Sequence, residues 1–172
     1  MLMNFDKVKF TLFGGKLTQE QVNGINTLIA EAEKIGITDK RQIAYILATV
    51  HHETGKQFRP TKEFGGEAYL MKKAYYPYYG RDLCQTTWKA NYEKVKKFSG
   101  IDVVSHPELI GQMPLAAQVC VMFMSKGWYT TKKLSDYFND KKEDWINARR
   151  IINGIDRAEL IAGYAKEFLT AL

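Results

Sequence analysis

Six segments of the sequence combine the apolar spacing of an amphipathic α-helix with residues that start or stop helices. Residues 17–36 show this most fully, because Thr18 is followed three positions later by Gln21, a capping-box pattern, and Gly36 lies just past the apolar stripe. Residues 113–127 are apolar on every side, as in a helix at the centre of a domain. The sequence therefore predicts a mainly α-helical fold, with helices in residues 17–36, 38–55, 86–100, 113–127, 142–154 and 156–172.

Residues 57–79 interrupt this helical pattern. The segment is rich in Gly, Pro, Tyr and Lys and has no sustained period. A connection of that length inside a compact domain is usually functional, so we expect a long irregular loop or a small hairpin lobe. No repeat or linker is visible, and 172 residues fit one domain spanning residues 1–172, without a separate wall-binding domain.

The charge balance narrows the choice of partners. A net charge of +6 and a pI near 9.2 favour a polyanionic surface, although an ordinary basic protein is the alternative. The basic residues are dispersed and no nucleic-acid motif is present, which argues against nucleic acid as the partner. No apolar window is long enough for stable membrane insertion. The two cysteines, Cys84 and Cys120, are expected to be free thiols.

The histidine pair at the end of the second predicted helix raises the question of a metal site. Adjacent helical residues point about 100° apart, so His51 and His52 cannot hold one ion together. The zinc-protease spacing H-E-x-x-H is absent, and the third histidine, His106, is distant in the sequence. We therefore expect neither a metal nor another cofactor.

Glu53, next to this pair, is a candidate proton donor. It lies at the edge of the apolar stripe in the last helical turn, where partial desolvation and the helix dipole both favour the protonated carboxyl. A neutral carboxyl of this kind protonates the leaving oxygen in a glycosidase. Glu63 and Glu67 follow in the irregular segment, and either could supply a second carboxylate about 6.5–9.5 Å away, as in an inverting hydrolase. The alternative is a set of solvated surface charges.

Five motifs in order resemble one family. The motifs "HHETG", "FRPTKE", "YYGRDLCQTTWKANYEKV", "HPELI" and "ARRIINGIDRAELIAGYA" resemble phage endolysins related to the chitinases of glycoside hydrolase family 19, from about Phe13 to the C-terminus. The resemblance implies a lysozyme-like, two-lobed helical domain with the irregular segment beside a substrate cleft. It also implies cleavage of β-1,4 bonds between amino sugars with inversion.

The resemblance assigns roles by position. Glu53 matches the general acid and Glu63 the base that activates water, while Thr87 matches a hydroxyl that helps to hold this water. Thr87 could also be a plain N-cap. Aromatic residues of the irregular segment could stack on sugars or pack in the core, and Trp88 is expected in the core. We expect the substrate to contact Gln85, Asn91, Asn153, Tyr79 and Arg81.

Two positions depart from the family pattern. Asp82 stands where the family usually has the second glycine of G-R-G, and Thr86 stands where an aliphatic residue is common. Asp82 adds a carboxylate that could assist the reaction, bind substrate or mark a weakened enzyme. The resemblance therefore leaves open whether Glu63, Glu67 or Asp82 is the base.

These observations predict an endolysin that hydrolyses the glycan strand of bacterial peptidoglycan, most simply as a muramidase. We expect a monomer without an export signal, held in the host cytoplasm until a membrane lesion gives it access to the wall. A chitinase that acts on N-acetylglucosamine polymers is one alternative. A non-catalytic protein that binds the wall is the other.

Overall fold

The computed structural model describes residues 1–172 and contains seven α-helices and one two-stranded sheet. Four short 3₁₀ helices, Phe5–Lys7, Pro107–Gly111, Leu134–Asp136 and Asn147–Ile151, connect them. No helix has both the length and the apolar character that a membrane crossing demands. The α-helices are α1 (Lys9–Phe13), α2 (Gln19–Lys34), α3 (Lys40–Glu53), α4 (Glu67–Leu70), α5 (Lys89–Ser99), α6 (Leu115–Lys126) and α7 (Ala158–Ala171).

Two apolar clusters divide the molecule into a larger and a smaller lobe. The larger cluster joins α1, α2, α3 and α7 to one face of α6, and α3 packs along α7. The smaller cluster joins α5 and the 3₁₀ helix Pro107–Gly111 to a second face of α6. Because α6 packs against both clusters, most of its residues are buried, which is why its sequence is largely apolar. The predicted lysozyme-like helical fold with two lobes is confirmed.

The predicted helix starts agree with the structure in α2 but not in α5 or α7. Thr18 and Gln21 form the capping box at the start of α2. In contrast, α5 starts at Lys89 rather than at the hydroxyls before it, because Trp88 takes a positive φ of 74° and breaks the helical path. At the start of α7 no side chain caps the helix, and Arg157, with φ 58°, precedes it.

Residues 142–154 do not form the predicted α-helix. Lys142–Glu143 (β2) pairs antiparallel with Phe138–Asn139 (β1), and the 3₁₀ helix Asn147–Ile151 follows. Asp144 accepts hydrogen bonds from the backbone and side-chain nitrogens of Asn147, which closes a turn in place of a helical start.

The irregular segment 57–79 contains no hairpin, only the four-residue α4 and a series of turns. Its first residues are fixed against α2 by close backbone contact. A Cβ added to Gly24 would lie 2.2 Å from the carbonyl oxygen of Phe58, so only glycine permits this approach. The segment thus leaves the large lobe at a fixed point and passes towards residues 80–88.

Candidate active site

Glu53 is the last residue of α3, and it forms an ion pair with a buried arginine. Its Oε1 atom accepts a hydrogen bond from Nη1 of Arg149 at 2.7 Å. The side chain of Glu53 is 23% exposed and that of Arg149 is 5% exposed. The Nε atom of Arg149 donates to the carbonyl of Asp156, so the guanidinium is held from two sides. The carboxylate therefore faces solvent in a fixed orientation.

Glu63 is held by contacts with residue 80 and with an aromatic hydroxyl. Its Oε2 accepts from the backbone N–H of Gly80 at 3.1 Å, and its own N–H donates to the Gly80 carbonyl at 2.8 Å. The hydroxyl of Tyr75 donates to Oε1 at 2.6 Å. These bonds restrict the carboxylate and keep both of its oxygens in their acceptor role.

Gln85 links the segment of Glu63 to the segment of Thr87. Its Nε2 donates to the carbonyl of Thr61 at 2.6 Å. A Cβ on Gly80 would lie 2.4 Å from Oε1 of Gln85, so the glycine is required for this side chain to fit. The amide of Gln85, predicted to bind sugar, has a structural bond inside the protein.

Glu63 is anchored to residues 80–85, because it is bonded directly to Gly80 at the start of this segment. Glu53 is anchored elsewhere, at the end of α3 and on Arg149. The two predicted catalytic groups are therefore held by different parts of the chain, and their meeting across one cleft stays a prediction.

Asp82 is fully buried, and its carboxylate is occupied by Thr86. It accepts from the Thr86 backbone N–H at 2.8 Å and from its hydroxyl at 2.6 Å. Burial raises the pKa of Asp82. A carboxyl without solvent access cannot activate a water molecule in the cleft, which removes Asp82 as a candidate base.

Glu67, the other alternative base, is exposed at the start of α4. Its oxygens accept from Lys62 at 3.2 Å and from the Tyr76 hydroxyl at 3.0 Å. Hydrogen bonds from these two residues lower its pKa. Glu67 therefore lacks the backbone anchor that restricts Glu63.

Thr87 and Asn91 lie at the start of α5. The side-chain amide of Asn91 donates to the Thr87 carbonyl at 2.9 Å, and its oxygen accepts from Lys94. Thr87 is not the N-cap residue, because Trp88 occupies that position, and its side chain is partly exposed. That its hydroxyl holds a water molecule stays a prediction.

Trp88 was predicted in the core, which is wrong. Its side chain is 51% exposed, and its ring lies 5.5 Å from that of Tyr75 in an edge contact. Both Gln85 and Trp88 have positive φ values, 58° and 74°. Strained backbone in non-glycine residues is often found at functional sites, so this short segment is one local indication of a site.

Tyr79 and Arg81, both predicted to bind substrate, contact each other. The Arg81 guanidinium carbon lies 3.4 Å from the ring centroid of Tyr79, which is only 4% exposed. Nη1 of Arg81 also donates to the carbonyls of Pro77 and Tyr79. Burial leaves the Tyr79 ring little surface for a sugar, and the pair instead forms the wall of a groove. This groove, of about 490 Å³, is lined by Pro60, Lys62, Tyr79, Arg81, Glu108 and Gly111.

Asn153 lies on the exposed turn that follows the 3₁₀ helix of Arg149. Its backbone N–H donates to the Arg149 carbonyl at 3.1 Å, and its side-chain oxygen accepts from Gly154. Sequence reasoning missed Arg149 and the bond from Tyr75 to Glu63. Arg149 stands inside a family-like motif, whereas Tyr75 precedes the motif that begins at Tyr78. No local pattern indicates which arginine of the pair Arg149 and Arg150 is buried.

Comparison with known proteins points to endochitinases. No protein-family model matches the chain. An endochitinase of Arabidopsis thaliana is 33% identical over 116 residues, which cover 62% of this chain and 39% of that protein. An acidic endochitinase of Dioscorea japonica is 29% identical over 150 residues, which cover 77% and 58%. The chain thus spans less than two thirds of the length of these relatives.

Solved structures give the fold. A class IV chitinase of family 19 from Zea mays aligns with a TM-score of 0.61 and 19% identity, over 96% of this chain and 90% of that one. A bacterial family 19 chitinase aligns with a TM-score of 0.54 and 16% identity, over 96% and 95%. The chain is therefore similar in sequence to plant endochitinases and has the lysozyme-like helical fold of family 19 chitinases.

Proposed function

We propose that the protein is a glycoside hydrolase that cleaves β-1,4 bonds of glycans containing N-acetylglucosamine, with inversion at the anomeric carbon. The observation that carries this proposal is that two carboxylates are each held in a fixed orientation, Glu53 by Arg149 and Glu63 by Gly80. The similarity to endochitinases supports the same reaction class.

In this mechanism Glu53 gives a proton to the glycosidic oxygen as the bond to the anomeric carbon breaks. Glu63 takes a proton from a water molecule that attacks the opposite face of the sugar, so the configuration inverts. The Thr87 hydroxyl helps to orient this water. Arg149 stabilises the Glu53 carboxylate that remains after proton transfer, because its guanidinium is already in contact with it.

The hydrogen bonds around Glu63 suit a general base. A base that activates water must keep an oxygen directed at a fixed point, and a free side chain loses this orientation. The Gly80 N–H and the Tyr75 hydroxyl restrict Glu63 without supplying a positive charge. Trp88, half exposed and beside Tyr75, offers a ring on which a sugar can stack.

Two substrates fit this chemistry. Chitin-type polymers are favoured by the relatives, which are endochitinases. The peptidoglycan strand, and with it the role of a phage endolysin that stays in the host cytoplasm until lysis, is favoured by the net charge of +6, which suits an anionic wall. A cleft that accepts N-acetylglucosamine units is common to both.

The decisive experiment compares N-acetylglucosamine oligomers with purified peptidoglycan. We expect new reducing ends from at least one of them, and NMR at early times should show the inverted α-anomer. Glu53→Gln and Glu63→Gln should each lower turnover by at least ~10²-fold, whereas Glu67→Gln should have little effect. The β-anomer as first product would contradict the mechanism.

A protein that binds the wall without turnover is the remaining alternative. It predicts sedimentation with peptidoglycan, no new reducing ends from either substrate, and no effect of Glu53→Gln. This combination of results would replace the hydrolase proposal.

A further inference from the structure

The two cysteines, far apart in the sequence, meet inside the protein. Their Sγ atoms lie 3.3 Å apart across a separation of 36 positions. Both are free and buried, and Sγ of Cys120 also lies 3.8 Å from Sδ of Met124. Cys84 belongs to the segment that carries Gln85, whereas Cys120 belongs to α6.

This distance is only slightly longer than a covalent bond between the two sulfur atoms. A disulfide has an S–S length of about 2.05 Å, so the sulfur atoms have to approach by only about 1 Å more. We propose that Cys84 and Cys120 form an intramolecular disulfide when the chain meets a low-molecular-weight disulfide oxidant. The pair is then an oxidation site that links residues 80–88 covalently to α6.

The reaction proceeds by two thiol–disulfide exchanges. Cys84 is 8% exposed and Cys120 is 0% exposed, so Cys84 loses its proton and attacks one sulfur of glutathione disulfide, which releases one glutathione thiolate. The thiol of Cys120 then loses its proton and attacks Sγ of Cys84, which releases the second glutathione. The protein loses two hydrogen atoms as two protons and two electrons, and the electrons reduce the oxidant to two thiols.

The surroundings of Cys84 control the rate of thiol–disulfide exchange. Hydrogen bonding to Cys120 and burial raise the pKa of its thiol, so the thiolate is scarce at neutral pH. Exchange is therefore slow in a neutral, reducing solution and accelerates as the pH rises. Once formed, the bond constrains the unfolded chain across 36 positions, and we expect Tm to rise by about 5–10 °C.

The test uses the folded, full-length chain incubated with glutathione disulfide at pH about 8.5, near the pKa of a free thiol. Intact mass without reductant, alkylation after unfolding and thermal melting are then measured. Because the chain has only two cysteines, a disulfide within a monomer can join no other pair. We expect a monomer that lacks two hydrogens, takes up no alkylating group and melts at a higher temperature, all reversed by reductant.

Two variants provide the control. The mass, the alkylation and the melting temperature do not depend on glycan hydrolysis. Cys84→Ala and Cys120→Ala should keep the mass and the Tm unchanged under oxidation. The one exception is a stable glutathione adduct on Cys84 in the variant Cys120→Ala. The proposal is overturned if the wild type keeps two alkylatable thiols, stops at a mixed disulfide with glutathione, or oxidises only to a linked dimer.

Discussion

The carboxylate of Asp82 accepts hydrogen bonds from both the backbone N–H and the hydroxyl of Thr86, at 2.8 and 2.6 Å. These are the two positions at which the sequence departs from the pattern of family 19. The two departures are therefore partners, and the hydroxyl of Tyr129 extends the network at 3.2 Å from the Thr86 hydroxyl. The unusual aspartate holds the turn before Trp88 rather than adding a charge to the cleft.

This pairing predicts a non-additive double-mutant cycle. Asp82→Ala should lower the free energy of unfolding by about 1–3 kcal/mol, because it removes the buried acceptor of the Thr86 backbone N–H and hydroxyl. Thr86→Val should also lower the free energy of unfolding. The double variant should lose less stability than the sum of the two single losses. Urea denaturation measures all three, and additivity within about 0.5 kcal/mol would show that the residues act independently.

Arg149 is expected to support turnover through Glu53. Arg149→Met removes the charge that contacts the Glu53 carboxylate, so kcat should fall by about 10²-fold, the scale for loss of one charge-stabilising donor. Arg150→Met, at the next and exposed position, is the matched control and should keep most activity. Equal losses in the two variants would remove the specific role of Arg149.

Gly80 should be intolerant of a single methyl group. Gly80→Ala places a Cβ 2.4 Å from Oε1 of Gln85, so the amide must move and the bond to Thr61 weakens. We expect destabilisation by about 1–3 kcal/mol. Gly163→Ala, in α7 with open space around its Cβ, should instead stabilise by about 0.5–1 kcal/mol. Thermal melting compares the two, and the same sign for both would contradict this explanation.

Trp88 should contribute to substrate binding and little to folding. Trp88→Ala removes a side chain that is 51% exposed, so we expect KM to rise about 10-fold, which corresponds to about 1.4 kcal/mol. Phe10→Ala, an exposed aromatic on α1, serves as the control. An unchanged KM with a large loss of Tm would identify Trp88 as a structural residue.

His51 should make the fold sensitive to acid. The ring is buried against four aromatic rings and neither nitrogen has a hydrogen-bond partner. Burial, with smaller effects of Lys56 and His52, lowers the pKa of His51 from 6.5 to about 4. The unfolded chain therefore binds the proton more readily, and stability present above pH 6.5 is lost as the pH falls towards 4, by up to about 3 kcal/mol.

His51→Phe is expected to flatten this pH dependence between pH 6.5 and 4. His52→Phe, at the neighbouring and partly exposed position, should leave the dependence in place. The measurement is the urea midpoint across this pH range. A wild-type profile without a decline would assign His51 no part in acid sensitivity.

The elements that the sequence predicted are those fixed by local chemistry. The capping box of Thr18 and Gln21 and the position of Glu53 at the end of α3 both follow from spacing within one helix. The bond between Gln85 and Thr61 joins residues 24 positions apart, and Arg149 reaches Glu53 across 96 positions. Contacts of this kind depend on how the lobes pack, which no local period reveals. Trp88 was expected in the core because no local pattern indicates its positive φ of 74° or its exposure.

The position of α6 between the two apolar clusters has a consequence for how the molecule comes apart. One of its faces completes the larger cluster and a second face completes the smaller one. If α6 unfolds, both apolar clusters lose part of their packing. Unfolding of one lobe that includes α6 therefore exposes the apolar cluster of the other. The lobes are therefore expected to share a single cooperative transition, and the two sides of the cleft persist or disappear together.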